Sequence, residues 1–153
     1  MIQKLLLIIT ALFLLTNTAF AVHWKYLAER EDVLVYIDTD SITNDDNVVT
    51  FQELWNSKKP RFLTGSSGSL MEYNSCIHHE KYNVAEGSGY TERYFYYSGL
   101  SGSGDLIESD LNPSGMSLKT SGEAFPPGSW GELVMKFLLK NMKKLHSVKE
   151  LQQ

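Results

Sequence analysis

Pro126-Pro127-Gly128-Ser129-Trp130-Gly131-Glu132-Leu133-Val134 decides the fold. The two prolines and the glycine forbid helix before Ser129, and Ser129 with Glu132 has the spacing of a capping box, a serine oxygen accepting from a backbone N–H and a glutamate reaching back. Trp130, Val134, Phe137, Leu138, Asn141 and Leu145 then recur at three- and four-residue spacing, one mostly apolar helical face. Lys140, Lys143, Lys144 and Lys149 enrich the C-terminal half, where positive charge suits the helix dipole.

Everything upstream reads as strands and turns. His23–Leu27 is a short strand turned by Arg30-Glu31. Asp32–Asp38 is β-branched and aromatic, apolar on both faces, and therefore an interior strand. Thr43–Asn47 is a polar turn. In Val48–Trp55, Val49, Phe51 and Trp55 share one face and Thr50 and Gln52 the other, which sees solvent. Asn56–Ser69, with Pro60, Gly65 and Gly68, reads as a loop. Leu70–Ile77, Tyr82–Ala85, Tyr90–Tyr97, a short strand from Leu106-Ile107 and a final one at Met116–Lys119 complete the set. Strands joined by turns and closed by one helix predict an α+β fold, a mainly antiparallel sheet with the C-terminal helix packed on a face. Repeated strand–helix units, which parallel crossovers need, are missing.

At the other end, Lys4, the apolar run Leu5–Leu15 and Ala19-Phe20-Ala21 have the plan of a secretory signal peptide over residues 1–21, cleaved before Val22. The run falls short of the ~20 apolar residues that span a bilayer, so no membrane span is expected after cleavage. No cysteine stands near the cleavage site, so no lipid anchor is expected, and the product is periplasmic or extracellular. The remaining 132 residues, 22–153, suit one domain. They hold 13 basic and 18 acidic residues, which gives no footprint for nucleic acid. The charge is asymmetric. Residues 133–153 contain five lysines and one glutamate, whereas 22–132 contain eight basic and 17 acidic residues. This predicts a basic helix docked on an acidic body, with a membrane-surface helix as the alternative.

Chemistry-bearing residues are few. Cys76 is the single cysteine, either buried or paired between chains, so no disulfide forms within the chain and the protein is a monomer or dimer. His78 and His79 are neighbours that an extended backbone sends to opposite faces, and His-His-Glu lacks the helical spacing of a metalloprotease. No metal site and no cofactor is expected. Asp38-Thr39-Asp40-Ser41 with Asn44-Asp45-Asp46 lacks the glycine and terminal glutamate of a calcium loop and reads as a strand end and a turn. No serine occupies a nucleophile elbow, and the proximity of Cys76 to two histidines does not make a catalytic dyad. No catalytic residue is assigned. Recognition is left to aromatics and the basic helix: Tyr94 and Tyr96 share one face of their strand, and tyrosine is favoured at interfaces. The candidate binding residues are therefore Tyr94, Tyr96, Lys136, Lys140, Lys143 and Lys144.

Two stretches together resemble the bacterial surface-adhesin protein E family: Tyr96-Tyr97-Ser98-Gly99 with Gly102-Ser103-Gly104, and Pro127-Gly128-Ser129 with Gly131-Glu132 and the helix behind them. Tyr36-Ile37-Asp38 with Ser41-Ile42, the strand ending at Trp55, and Met71-Glu72-Tyr73 leading to Cys76 match more loosely. The resemblance implies a sheet of about six antiparallel strands with a C-terminal helix on one face, and adhesion to extracellular-matrix or host plasma proteins, without catalytic residues. It also implies a cysteine bridge from the Cys76 position to the terminal helix and a lipid anchor. Here Leu138-Leu139 stands in the helical region, so the helix must hold by apolar packing. The expected function is an exported, non-enzymatic binding domain. The alternatives are a periplasmic inhibitor or accessory protein that binds another exported protein, and, behind both, a small hydrolase.

Overall fold

The computed structural model describes residues 22–66, 68–111 and 124–150. Six strands, β1 (Trp24–Arg30), β2 (Val33–Asp45), β3 (Val48–Thr64), β4 (Leu70–Asn83), β5 (Ser88–Tyr97) and β6 (Leu106–Leu111), form one sheet in chain order, and the helix α1 (Trp130–Glu150) follows. Every neighbouring pair is antiparallel. The α+β expectation holds. The expected signal segment and the expected strand at Met116–Lys119 lie outside the described residues.

Short turns make this meander possible. Asp46 and Asn47, between β2 and β3, both have positive φ (44° and 71°), the requirement of a two-residue hairpin turn matched to strand twist. At the β4–β5 turn, the Asn83 side chain accepts from the backbone N–H groups of Ala85 and Glu86, the local bond that suits asparagine to reversals.

Two strands run further than the sequence suggests. Asn56–Ser69 is not a loop: β3 continues to Thr64, carrying Lys58, Lys59, Pro60 and Arg61. Proline is tolerated because it falls in the register shift between Asn56 and Arg61, where no ladder N–H is required. Likewise Leu70–Ile77 and Tyr82–Ala85 belong to one strand, β4, joined through His78-His79-Glu80-Lys81. Asp38–Ser41 is a bulge within β2 rather than a strand end. Its groups are used by the backbone: Asp38 Oδ1 accepts from Asp40 N and His23 N, and Ser41 Oγ donates to Asp38 O and accepts from Gln52 N.

The helix starts as its sequence dictates. Ser129 Oγ accepts from Glu132 N at 3.3 Å, while Glu132 reaches Gly128 N at 2.7 Å rather than Ser129 N. Gly131 is costly in a helix, but a Cβ there would overlap the Phe125 ring. Val134 and Leu138 are fully buried, and with Met135 they pack against Ile37, Ile42, Val49, Phe51 and Tyr82. Asn141, polar on the apolar face, is satisfied by Phe137 O and Lys25 Nζ. Apolar burial holds the helix. Lys136 and Lys140 are exposed, and Lys136 pairs with Glu132 of its own helix at 2.8 Å, so the expected docking of a basic helix on acidic strands is not what these lysines do. As far as Met142 the apolar stripe is spent on the sheet and is not free for a membrane surface. No helix among the described residues is long and apolar enough to cross a membrane.

Leu138→Ala should destabilise the domain by about 2–5 kcal/mol in urea unfolding, while the adjacent and exposed Leu139→Ala stays within about 0.5 kcal/mol. Equal losses at the two positions would show that the helix does not dock through this face.

Candidate functional site

The face of the sheet that carries α1 is longer than the patch α1 covers. Along β3, Val49 and Phe51 lie under the helix, and Glu53, Trp55 and Ser57 continue the same two-residue period beyond it. Along β4, Tyr82 lies under the helix, and Glu80, His78 and Cys76 extend beyond it. Thr91, Tyr94 and Tyr96 of β5 complete the floor, Arg30 of β1 and Arg61 of β3 stand at the side, and Trp130, the first residue of α1, forms the border. The result is a cavity of about 430 Å³, within the range of small-ligand sites.

Its walls are aromatic. The Trp55 ring stacks on the His78 imidazole at 4.9 Å and meets Trp130 edge-on at 6.0 Å. Tyr94 meets His78 at 4.6 Å, stacks on Tyr96 at 6.2 Å, and Tyr96 meets Tyr73 at 4.9 Å. The Arg30 guanidinium lies 5.9 Å from the Trp130 ring.

Its floor is ionisable. Glu53 and Glu80 are 2% and 3% exposed. His78 Nδ1 lies 3.5 Å from Glu80 Oε1 and 3.9 Å from Glu53 Oε2. The Thr91 hydroxyl donates to Glu80 Oε1 at 2.7 Å. Among the described residues, Glu53 Oε1 and Glu80 Oε2 are buried without a hydrogen-bond partner, as are the indole N–H groups of Trp55 and Trp130. These indoles lie close enough to favour a charged Glu53 without completing a bond to it. Burial, reinforced by the neighbouring Glu80, wins: the Glu53 carboxyl is pushed up to about 8. The Cys76 thiol, 3% exposed, is pushed far above its usual range by burial, the reverse of an activated nucleophile. Its Sγ is directed at Ile77 O, 3.9 Å away, and not at His78. One oxygen of each carboxylate and one nitrogen of His78 lie within 4.8 Å of one another, so these three residues could hold a metal ion.

Of the residues singled out in the sequence, Tyr94 and Tyr96 do share a face, and they line this cavity. Lys136 and Lys140 are on the exposed side of α1, away from it. Lys143 and Lys144 are in the same helix, with side chains outside the described residues. His78 and His79 do face opposite ways: His78 is in the cavity floor, and His79 packs on Phe95 of the other face. Glu53 and Glu80 were missed. The signal was their register, Glu53 in step with Val49, Phe51 and Trp55, and Glu80 in step with Cys76, His78 and Tyr82.

A family model described as surface-adhesin protein E matches residues 24–138. Among solved structures, protein E from non-typeable Haemophilus influenzae is similar in fold, with a TM-score of 0.54 and 16% sequence identity over 90% of this chain and 94% of that one. No curated protein sequence matches significantly.

The buried acid sets a pH dependence. Folded Glu53 keeps its proton up to about pH 8, whereas the unfolded chain releases it near 4.5. Stability therefore falls as pH rises through that window, by a few kcal/mol at about 1.4 kcal/mol per unit. In chelator-treated protein the urea midpoint should decline from pH 5 to pH 8.5, and Glu53→Gln should flatten the decline. A midpoint that rises over this range would refute the assignment.

Proposed function

The chain belongs to the surface-adhesin protein E family, and from that premise we propose that it is an exported, non-enzymatic binding domain whose recognition surface is the uncovered end of the sheet. In this reading the signal segment over residues 1–21 directs export, and the domain over 22–153 works in the periplasm or outside the cell. The partner is a protein, with extracellular-matrix and host plasma proteins the first class to examine.

The observation that carries this reading is the aromatic cavity beside α1. Trp55, Tyr94, Tyr96 and Trp130 line one concave site, and tryptophan, tyrosine and arginine are the residues that dominate binding energy at interfaces. Arg30 and Arg61 add the third of those types at its side. Two features support a binding rather than a catalytic role. The Cys76 thiol is held protonated by burial, and it is not bonded to a base. The lysines of α1, Lys136 and Lys140 on its exposed side and Lys143 and Lys144 further along its sequence, are a second and weaker contact region, since exposed charges each contribute under about 1 kcal/mol.

Two measurements test this. Protease added to intact cells should cleave the domain if it works at the surface, and cleavage only after outer-membrane permeabilisation would favour a periplasmic accessory role. On a surface coated with extracellular-matrix extract, purified protein should bind saturably, and Tyr96→Ala should weaken binding at least about tenfold while the protein stays folded by circular dichroism. Combined Lys136→Gln and Lys140→Gln should change it less than about fivefold. Unchanged affinity in Tyr96→Ala would remove the cavity from the binding surface.

A further inference from the structure

We propose that Glu53, His78 and Glu80 form a site for one divalent transition-metal ion of the Zn²⁺ type, with an open coordination position facing the cavity. The inference goes beyond the binding reading and does not depend on which protein the domain engages.

Geometry is the first argument. Ligand atoms about 2.0–2.2 Å from a tetrahedral ion stand roughly 3.3–3.6 Å from each other. The His78 Nδ1 to Glu80 Oε1 separation, 3.5 Å, already has that value, and the separation to Glu53 Oε2, 3.9 Å, exceeds it by a few tenths of an ångström. The three donors come from neighbouring strands in fixed register. Glu53 of β3 pairs directly with His78 of β4, and Glu80 follows two residues on, on the same face.

Unmet demand is the second. Among the described residues, Glu53 Oε1 and Glu80 Oε2 are buried in the cavity lining without a completed hydrogen bond, the nearby Trp55 and Trp130 indoles included, an arrangement that costs free energy for each oxygen. The oxygens nearest His78 are Glu53 Oε2 and Glu80 Oε1, the second atoms of the same two carboxyl groups; a divalent cation bound there would displace the Glu53 proton and match the two resulting carboxylates in charge. Support around the ligands is the third. The imidazole is held between Trp55 and Tyr94, and Thr91 fixes the Glu80 carboxylate through a 2.7 Å hydrogen bond, the kind of outer contact that orients metal ligands.

The donor set selects the ion. Calcium takes six to eight oxygens, whereas one imidazole with two carboxylates suits zinc and its neighbours in the first transition row. Three protein ligands with a fourth position toward a cavity is an open site rather than a closed structural one.

The test uses purified, chelator-stripped protein. Calorimetric titration with Zn²⁺ should give one ion per chain, and Co²⁺ should produce the visible absorption of a four- or five-coordinate ion. His78→Gln and Glu80→Gln should each lower the zinc affinity at least about tenfold. His23→Ala, which removes the exposed His23–Asp40 pair, should leave it unchanged. The cobalt spectrum of the unaltered protein needs no variant to fold. A spectrum like that of the free hexahydrated ion, no titration heat, or equal zinc affinity in folded His78→Gln would overturn the site. A thiolate-to-cobalt band would also overturn the three-residue set, by bringing in Cys76.

Discussion

The structure depends on one mismatch of area: a six-stranded sheet has a broad apolar face, and among the described residues a single helix covers only part of it. An antiparallel meander leaves both faces of its sheet open unless something is laid on them. Here α1 is laid across Ile37, Val49, Phe51 and Tyr82, with Val134 and Leu138 fully excluded from water. No disulfide ties the helix down, since Cys76 is a free, buried thiol. Hydrophobic burial, with the Lys25–Asn141 contact at its margin, keeps the helix in place. The rest of the face is left to other devices, and these make the cavity.

At the uncovered end the side chains change character without changing register. Beyond the reach of α1, Trp55 stacks on His78 and Tyr94 on Tyr96, so that these rings shield one another. Two carboxylates and an imidazole occupy positions that aliphatic residues would fill under the helix. This substitution is destabilising by itself, because a buried carboxyl gives up hydration and the Thr91 hydroxyl returns only part of it to Glu80. A domain of this size has only about 5–15 kcal/mol of net stability. Buried ionisable groups in a cleft are where functional chemistry concentrates.

How much of this the sequence discloses follows from which signals are local. The helix was legible from Ser129 to Asn141 because capping, spacing and the preceding prolines all act within a few residues. The hairpin turn after Asp45 and the shared face of Tyr94 and Tyr96 were legible for the same reason. The extension of β3 through Lys58-Lys59-Pro60-Arg61 was not, because its pairing partner, the first part of β4, is brought up by a chain reversal that the Gly65 N–H closes on Ser69 O. A proline in a ladder gap looks the same in sequence as a proline in a loop. Glu53 and Glu80 were hidden by habit of assignment: a glutamate in a strand is normally placed in solvent. The period of two argued otherwise, because each glutamate falls in step with residues assigned to the apolar side.

Trp130 joins the two halves of this face. It is the first residue of α1, one position after the serine that caps it, and it is also a wall of the cavity, in contact with Trp55 and with the Arg30 guanidinium. The indole N–H of Trp130 is buried near Glu53 without a hydrogen-bond partner among the described residues. Helix ends are the part of a helix most readily frayed, since their backbone groups lack intrahelical partners. An occupant of the cavity that touches Trp130 therefore acts on the point where the helix begins, and binding free energy there adds to the stability of the docked helix by linkage. The same contact works in reverse: the burial of Leu138 and Val134 that holds α1 on the sheet also holds Trp130 against Trp55. The cavity and the hydrophobic core are thus two ends of one packed surface, joined at Trp130.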